Sequence, residues 1–174
     1  MPDRPFSDTP LAGVEFRGYF PGVVGRMIEA HAVYYHEDWG FDVSFETQVG
    51  RELSEFVGAY REERDGLWVA TVGGEFAGSV AIDGGKGNTE GARLRWFIVV
   101  PAFRGKGVGK ALLARAIDFC RARNYPRVYL WTFHGLDAAR ALYERERFRL
   151  CREHVVDQWG QRIREQMFEL HLRR

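Results

Sequence analysis

Arg104-Gly105-Lys106-Gly107-Val108-Gly109-Lys110 is the stretch that decides how this chain is read, because it closes an apolar, strand-like run and opens an amphipathic helix. A glycine-rich turn feeding a helix start is an anion cradle. Successive N–H groups turn inward with no Cβ in the way, and the helix terminus adds unpaired donors and partial positive charge. Two nucleotide motifs fail here. A Walker loop would need glycine at Arg104 and a hydroxyl at Ala111, and a G-x-G-x-x-G pattern begun at Gly105 meets Lys110 where its third glycine belongs.

Working outward, Leu94 to Val100 is almost wholly apolar, as a strand buried on both faces should be, and it is expected at the centre of the sheet. Val108, Leu112, Leu113, Ala116, Ile117, Phe119 and Cys120 form one broad apolar face on the following helix, which ends near Asn124-Tyr125-Pro126. Arg127 to Phe133 is the next strand. A strand, glycine loop, helix and strand in this order make a crossover unit, so one parallel pair is expected in a mostly antiparallel sheet. Upstream, residues 1–13 read as a loose arm, Val14 to Tyr19 as a strand, and two helices follow with a polar-aromatic loop from Glu37 to Ser44 between them. Leu67 to Val72 and Phe76 to Ile82 form a hairpin about Gly73-Gly74. Leu136 to Arg145 is a short helix, and two last strands flank Trp159-Gly160. The remainder, 14–174, reads as one domain.

The 174 residues carry 25 Lys and Arg against 24 Asp and Glu, a balance that argues against a nucleic-acid-coating surface or a basic membrane-binding face. Any anion site must therefore be local. Cys120 and Cys151 lack C-x-x-C spacing and read as buried, reduced thiols. With no 18-residue apolar run and no leader pattern, a cytoplasmic protein is expected. His31 and His36 have no partners at metal-ligand spacing, and no metal is expected.

The run R-G-K-G-V-G resembles the R/Q-x-x-G-x-G/A signature of the GNAT acetyltransferases. Val100-Pro101-Ala102-Phe103 resembles that family's V-x-P-x-x-R-G lead-in, and Ala139, Leu142, Tyr143 and Phe148 its A-x-x-L-Y-x-x-x-x-F segment, together covering roughly residues 66 to 170. Trp39-Gly40-Phe41 with Phe45-Glu46, and Leu130 to His134, resemble the acetyltransferase half of winged-helix regulator fusions. The resemblance implies an α/β (α+β) GNAT fold, a mixed, mostly antiparallel twisted sheet flanked by helices. It also implies acetyl-CoA as cosubstrate and transfer of its acetyl group to a primary amine by direct attack. The alternative is an acyl-CoA sensor module without turnover.

By the same resemblance, the backbone of Gly105, Lys106, Gly107, Val108, Gly109 and Lys110 takes the pyrophosphate; the Arg104 and Lys106 side chains are placed to add charge and equally to be solvated loop residues. The backbone of Ile98, Val99 and Val100 pairs with pantetheine as an added strand. A bulge near Phe97 aims an N–H at the thioester carbonyl. His134, Ala139, Leu142 and Tyr143 also fall among the coenzyme-contacting positions. Tyr143 is the catalytic candidate, as acid or hydrogen-bond donor to the departing thiolate. An ammonium near pKa 10.4 is neutral in only about one molecule in 2,500 at pH 7, so a base or relay water is needed. Glu46 is the first choice, followed by Asp83, Glu90 and His134.

Tyr34, Tyr35, Glu37, Asp38, Trp39, Phe41, Asp42 and Glu46 combine carboxylates with aromatics, a composition that suits a cationic amine and equally an ordinary helix connection. Small-molecule and peptide amines both remain open, and a homodimer through the last strands is compatible with the family. Two positions depart from the pattern. Leu136 stands where many members carry asparagine, and Arg147 replaces the glycine that usually caps the helix before Phe148, which implies a changed turn.

Overall fold

The computed structural model describes residues 11–172. The loose arm expected over 1–13 therefore lies outside the described residues as far as residue 10. Its last part is a turn in which the Val14 N–H donates to the Leu11 carbonyl at 3.0 Å.

In chain order the elements are β1 (Val14–Arg17), α1 (Val23–Trp39), α2 (Val43–Gly58), β2 (Gly66–Val72), β3 (Glu75–Asp83), β4 (Ala92–Val99), α3 (Val108–Ala122), β5 (Arg127–Phe133), α4 (Asp137–Arg145), β6 (Arg149–Gln158) and β7 (Gln161–His171). A short 3-10 turn, Pro101–Phe103, leads from β4 into the glycine run. The seven strands form one sheet ordered β1-β2-β3-β4-β5-β7-β6, so β4 occupies the centre as its apolar sequence requires. Among the described residues only β4 and β5 run parallel, because α3 carries the chain across between them. The expected mixed, mostly antiparallel sheet is what forms.

Helices cover both faces. On one, Leu112, Leu113, Ala116 and Ile117 of α3 pack on Ala77, Val80, Ala92 and Leu94, all buried. On the other, Val23, Met27, Leu53 and Phe56 of α1 and α2 meet Leu67, Val69 and Ala81, while Phe41, Phe45 and Val49 meet Phe133 and Ile163. Alternation along the strands sorts the side chains between these layers: Ala92 and Leu94 lie in the α3 core, whereas Arg95 pairs with Glu52 of α2.

Three local expectations change. The loop expected over 37–44 shrinks to 40–42. Helix α1 continues to Trp39, Gly40 ends it at φ +69°, and the Asp42 side chain accepts from the Ser44 N–H at 2.9 Å to start α2. Cys120 is buried and free, and burial pushes its thiol up to about 12. Cys151 is free but exposed, because it occupies a register shift on the outermost strand.

The third change concerns Arg147. The turn after α4 keeps its shape without the glycine: Arg147 itself adopts φ +70°, and the Phe148 N–H closes back on the Tyr143 carbonyl at 3.0 Å. A side chain in this left-handed region costs about 1–2 kcal/mol, partly offset by the entropy that glycine would add to the unfolded chain. Arg147→Gly is therefore expected to raise the melting temperature by about 1–4 °C in a thermal scan. An unchanged or lower midpoint would show that the Arg147 side chain contributes contacts that outweigh the backbone strain.

Candidate active site

The β4–β5 ladder is short. Ala92 pairs with Val128 and Arg93 with Tyr129, and beyond that point the two strands separate. The cause lies on β4. Opposite Val80 the register against β3 slips between Ser79 and Ala81, which leaves Trp96 and Phe97 facing one residue. Trp96 takes φ +47°, its carbonyl accepts from the Ser79 hydroxyl at 2.9 Å, and its ring packs on Phe56 at 5.3 Å. Gly78 is required beside the bulge, since a Cβ there would stand 2.5 Å from the Ile98 carbonyl oxygen. The bulge expected near Phe97 is thus present and opens the sheet at its centre.

Into this opening faces the start of α3. Gly105 and Gly107 adopt φ +73° and +84°, and Gly107 is the N-cap with no side-chain bond. Among the described residues, no protein group accepts from the amides of Gly105 through Lys110; the first turn closes only with Ala111 N–H to the Gly107 carbonyl at 3.0 Å. Six consecutive free amides at a helix N-terminus make a site for an anion. Gly109 lets the helix approach closely, its missing Cβ lying 3.1 Å from Leu142 and 3.3 Å from Val99.

Splay and cradle belong to one cavity of about 830 Å³. Phe97, Ile98, Val99, Arg104, Gly105, Gly107, Val108, Gly109, Lys110, Ala139, Leu142 and Tyr143 all line it, so most positions singled out from the sequence come together. Tyr143 is 4% exposed, with its ring 5.8 Å from those of Phe97 and Phe148. Burial, and secondarily the nearby Tyr35, push its phenol well above its ordinary range, so it stays protonated. Tyr35 is likewise raised by burial.

Several sequence candidates are not brought to the cavity. Glu46 is exposed: the helical stripe that faces inward is Phe45, Gln48, Val49 and Glu52, and Glu46 sits about 100° around the helix from Phe45. Asp83 is held by Arg95 at 3.4 Å and Glu90 by Lys86 at 3.3 Å, both away from the opening. His134 is exposed beyond the end of β5, its N–H donating to the Arg164 carbonyl at 2.8 Å. Val100 belongs to the opposite side of the strand, and its N–H is used by the Ala77 carbonyl at 2.9 Å. Lys106 lies over the Phe103 ring at 5.5 Å, outside the cavity. The Arg104 side chain turns back to the Val99 carbonyl at 3.0 Å and over Tyr34 at 4.5 Å. Of the aromatic-acidic segment, Tyr34 and Tyr35 line the cavity, while Trp39 and Phe41 pack on Phe133.

Other residues occupy the part of the cavity that these leave. Glu52, Arg93, Arg95, Trp131 and Glu165 line the side of the cavity that faces α2 and β7. Arginines at 93 and 95 in an otherwise buried strand were the available sequence signal for this charged wall. So were Gln48 and Glu52, in register with an apolar helical stripe.

The Acetyltransferase (GNAT) family model matches residues 26–147, more than half of the chain, and the chain belongs to that family. An N-acetylaspartate synthetase of Danio rerio is 40% identical over 83 residues, covering 48% of this chain and 29% of that protein. An uncharacterized N-acetyltransferase of Methanocaldococcus jannaschii is 28% identical over 131 residues, covering 73% and 57%. The chain thus spans less than two thirds of the length of these relatives. Among solved structures, a GNAT-family acetyltransferase of Staphylococcus aureus Mu50 superposes with TM-score 0.74 at 17% identity, covering 92% of this chain and 99% of that one. A ribosomal L7/L12 alpha-N-protein acetyltransferase in complex with coenzyme A gives 0.70 at 14%, covering 93% and 96%. These share the fold. Among the described residues, no helix is long and apolar enough to cross a membrane, and no cluster of His, Cys, Asp and Glu could hold a metal ion.

His31 also lines the cavity, 4% exposed. Its Nδ1–H donates to the Met27 carbonyl at 2.7 Å, while Nε2 is buried without a partner. Burial lowers its pKa to about 4, against which the Met27 bond acts only weakly. Since the unfolded chain titrates near 6.5, the unfolded state binds more protons between those values. Stability is then complete above about pH 6.5 and falls as pH drops toward 4, by up to about 3 kcal/mol. Melting temperatures measured from pH 4.5 to 7 should therefore rise more steeply for the wild type than for His31→Gln; parallel curves would contradict a neutral, buried imidazole.

Proposed function

We propose that this chain is an N-acetyltransferase that moves the acetyl group of acetyl-CoA to a primary amine by direct attack, without a metal. The observation that carries this proposal is the continuity of six free amides at the α3 N-terminus with an unpaired β4 edge leading to Tyr143. A coenzyme A thioester has matching parts: a diphosphate for the cradle, two pantetheine amides for the open strand edge, and a thioester that reaches the bulge. Ile98 and Val99 supply that edge, with Arg104 bracing the loop through the Val99 carbonyl.

The bulge takes Trp96 and Phe97 out of one-to-one pairing with β3, and a backbone N–H beside it donates to the thioester oxygen as it gains charge. The neutral amine attacks the carbonyl carbon, the tetrahedral adduct collapses, and the C–S bond breaks to release thiolate. A phenol whose pKa is raised by burial donates a hydrogen bond to that thiolate rather than its proton. The amine's proton leaves through a cavity carboxylate. Glu165 suits this better than Glu52, which is neutralised by Arg95, because Glu165 contacts the half-exposed His154 at 3.0 Å and can pass the proton outward.

A sensor module that binds acyl-CoA without turnover would need the cradle but not Tyr143. Tyr143→Phe separates the two. For the enzyme, thiol release in the presence of an amine panel should fall at least 10-fold while acetyl-CoA binding by calorimetry stays within about 3-fold. Unchanged turnover would remove Tyr143 from the chemistry, and an absence of acetyl-CoA-dependent thiol release with every amine would favour the sensor.

A further inference from the structure

We propose that the acceptor is an amino acid or a close amino-carboxylate, and that Arg93 receives its carboxylate; this rests on the acetyltransferase function proposed above and names its substrate class. Arg93 and Arg95 project from the same face of β4 into the cavity wall beneath α2. Their surroundings differ. Arg95 is neutralised twice, by Glu52 in direct contact and by Asp83 at 3.4 Å. For Arg93, no carboxylate of the described residues lies within ion-pair distance, and its Nε is buried with no hydrogen-bond partner. A guanidinium N–H withdrawn from water and left without an acceptor is costly, and a planar carboxylate accepting two parallel N–H bonds relieves that cost.

Position supports the same assignment. Arg93 is the last β4 residue paired with β5, so it stands at the closed end of the splay. The bulge where the thioester is attacked lies four residues further, roughly 13 Å along the strand. That span is filled by an arginine side chain and a small molecule whose amine reaches the thioester. Across the β4–β5 splay on the same wall, Glu165 of β7 offers negative charge to the ammonium. On the wall beneath α2, Arg93, with no carboxylate partner among the described residues, and Glu165 together suit a zwitterion; a polyamine would meet two arginines there, and a polyanion would meet Glu52 and Glu165.

The experiment uses matched acceptors that differ only at the carboxylate: β-alanine, L-aspartate and L-glutamate against their carboxamides, with spermidine as a cationic control. Thiol release should give kcat/KM at least 10-fold higher for a carboxylate than for its amide, even though amides of α-amino acids have the more readily deprotonated amine. Arg93→Gln should bring this ratio close to one, mainly through KM, and Arg93→Lys should restore part of it. Because the readout is a ratio, a general loss of folded enzyme cancels.

Equal or better turnover of amides or spermidine, or a preference that survives Arg93→Gln, overturns the inference while leaving the acetyltransferase function standing. If no amine is turned over, calorimetry decides, with the same acceptors titrated into protein saturated with coenzyme A. Carboxylate binding that Arg93→Gln abolishes sustains the site and removes only the activity, whereas no binding overturns both.

Discussion

Backbone amides at the centre of a sheet normally have no freedom left, because each neighbouring strand consumes them. Here β4 and β5 pair for two residues and then part, which leaves the middle of the sheet with an open edge on each side of the gap. Nothing in the ordinary energetics of a parallel ladder favours this. It is enforced from the other side of β4, where Trp96 sits at φ +47° and Gly78 gives the room that a Cβ would close. A strained residue held by packing on Phe56 and by the Ser79 hydroxyl is thus exchanged for a cleft running through the fold.

The cleft has two chemically distinct halves, and the alternation of β4 produces them. Toward α3 the wall is apolar and ends in the amides of the glycine run, so an extended, anion-ended ligand finds donors and hydrocarbon contact in sequence. Toward α2 the wall is charged: Arg95 is paired with both Glu52 and Asp83, while Glu165 contacts the His154 imidazole. Partly exposed ion pairs of this kind contribute little net stability but fix side-chain positions. Tyr143 sits between the halves, buried among Phe97, Phe148 and Phe168, with its phenol kept protonated by burial.

The fold and the cavity wall beside the glycine run were legible in the sequence because both are written locally. A glycine run between an apolar strand and an amphipathic helix specifies backbone geometry without reference to distant residues, and Ala139, Leu142 and Tyr143 follow on a single short helix. The charged wall toward α2 was not legible. Glu46 and His134 belong to plausible local patterns, yet helical phase turns Glu46 outward, and β5 ends one residue before His134. Glu52, Arg93 and Glu165 come from three separate elements, and only the strand order β4-β5-β7 brings them to one wall. Arg147 shows a converse limit. A missing glycine implied an altered turn, but closure of the Phe148 N–H on Tyr143 imposes the left-handed conformation on an arginine.

Amides of the glycine run and of the splayed β4 edge are the groups we propose to hold an acyl-coenzyme A. Hydrogen exchange of backbone amides, followed with and without saturating acetyl-CoA, observes those groups directly. Protection should appear at Gly105 to Lys110 and at Phe97 to Val99, with little change along β6. Unaltered exchange at both segments, or protection confined to another part of the molecule, would contradict this proposal.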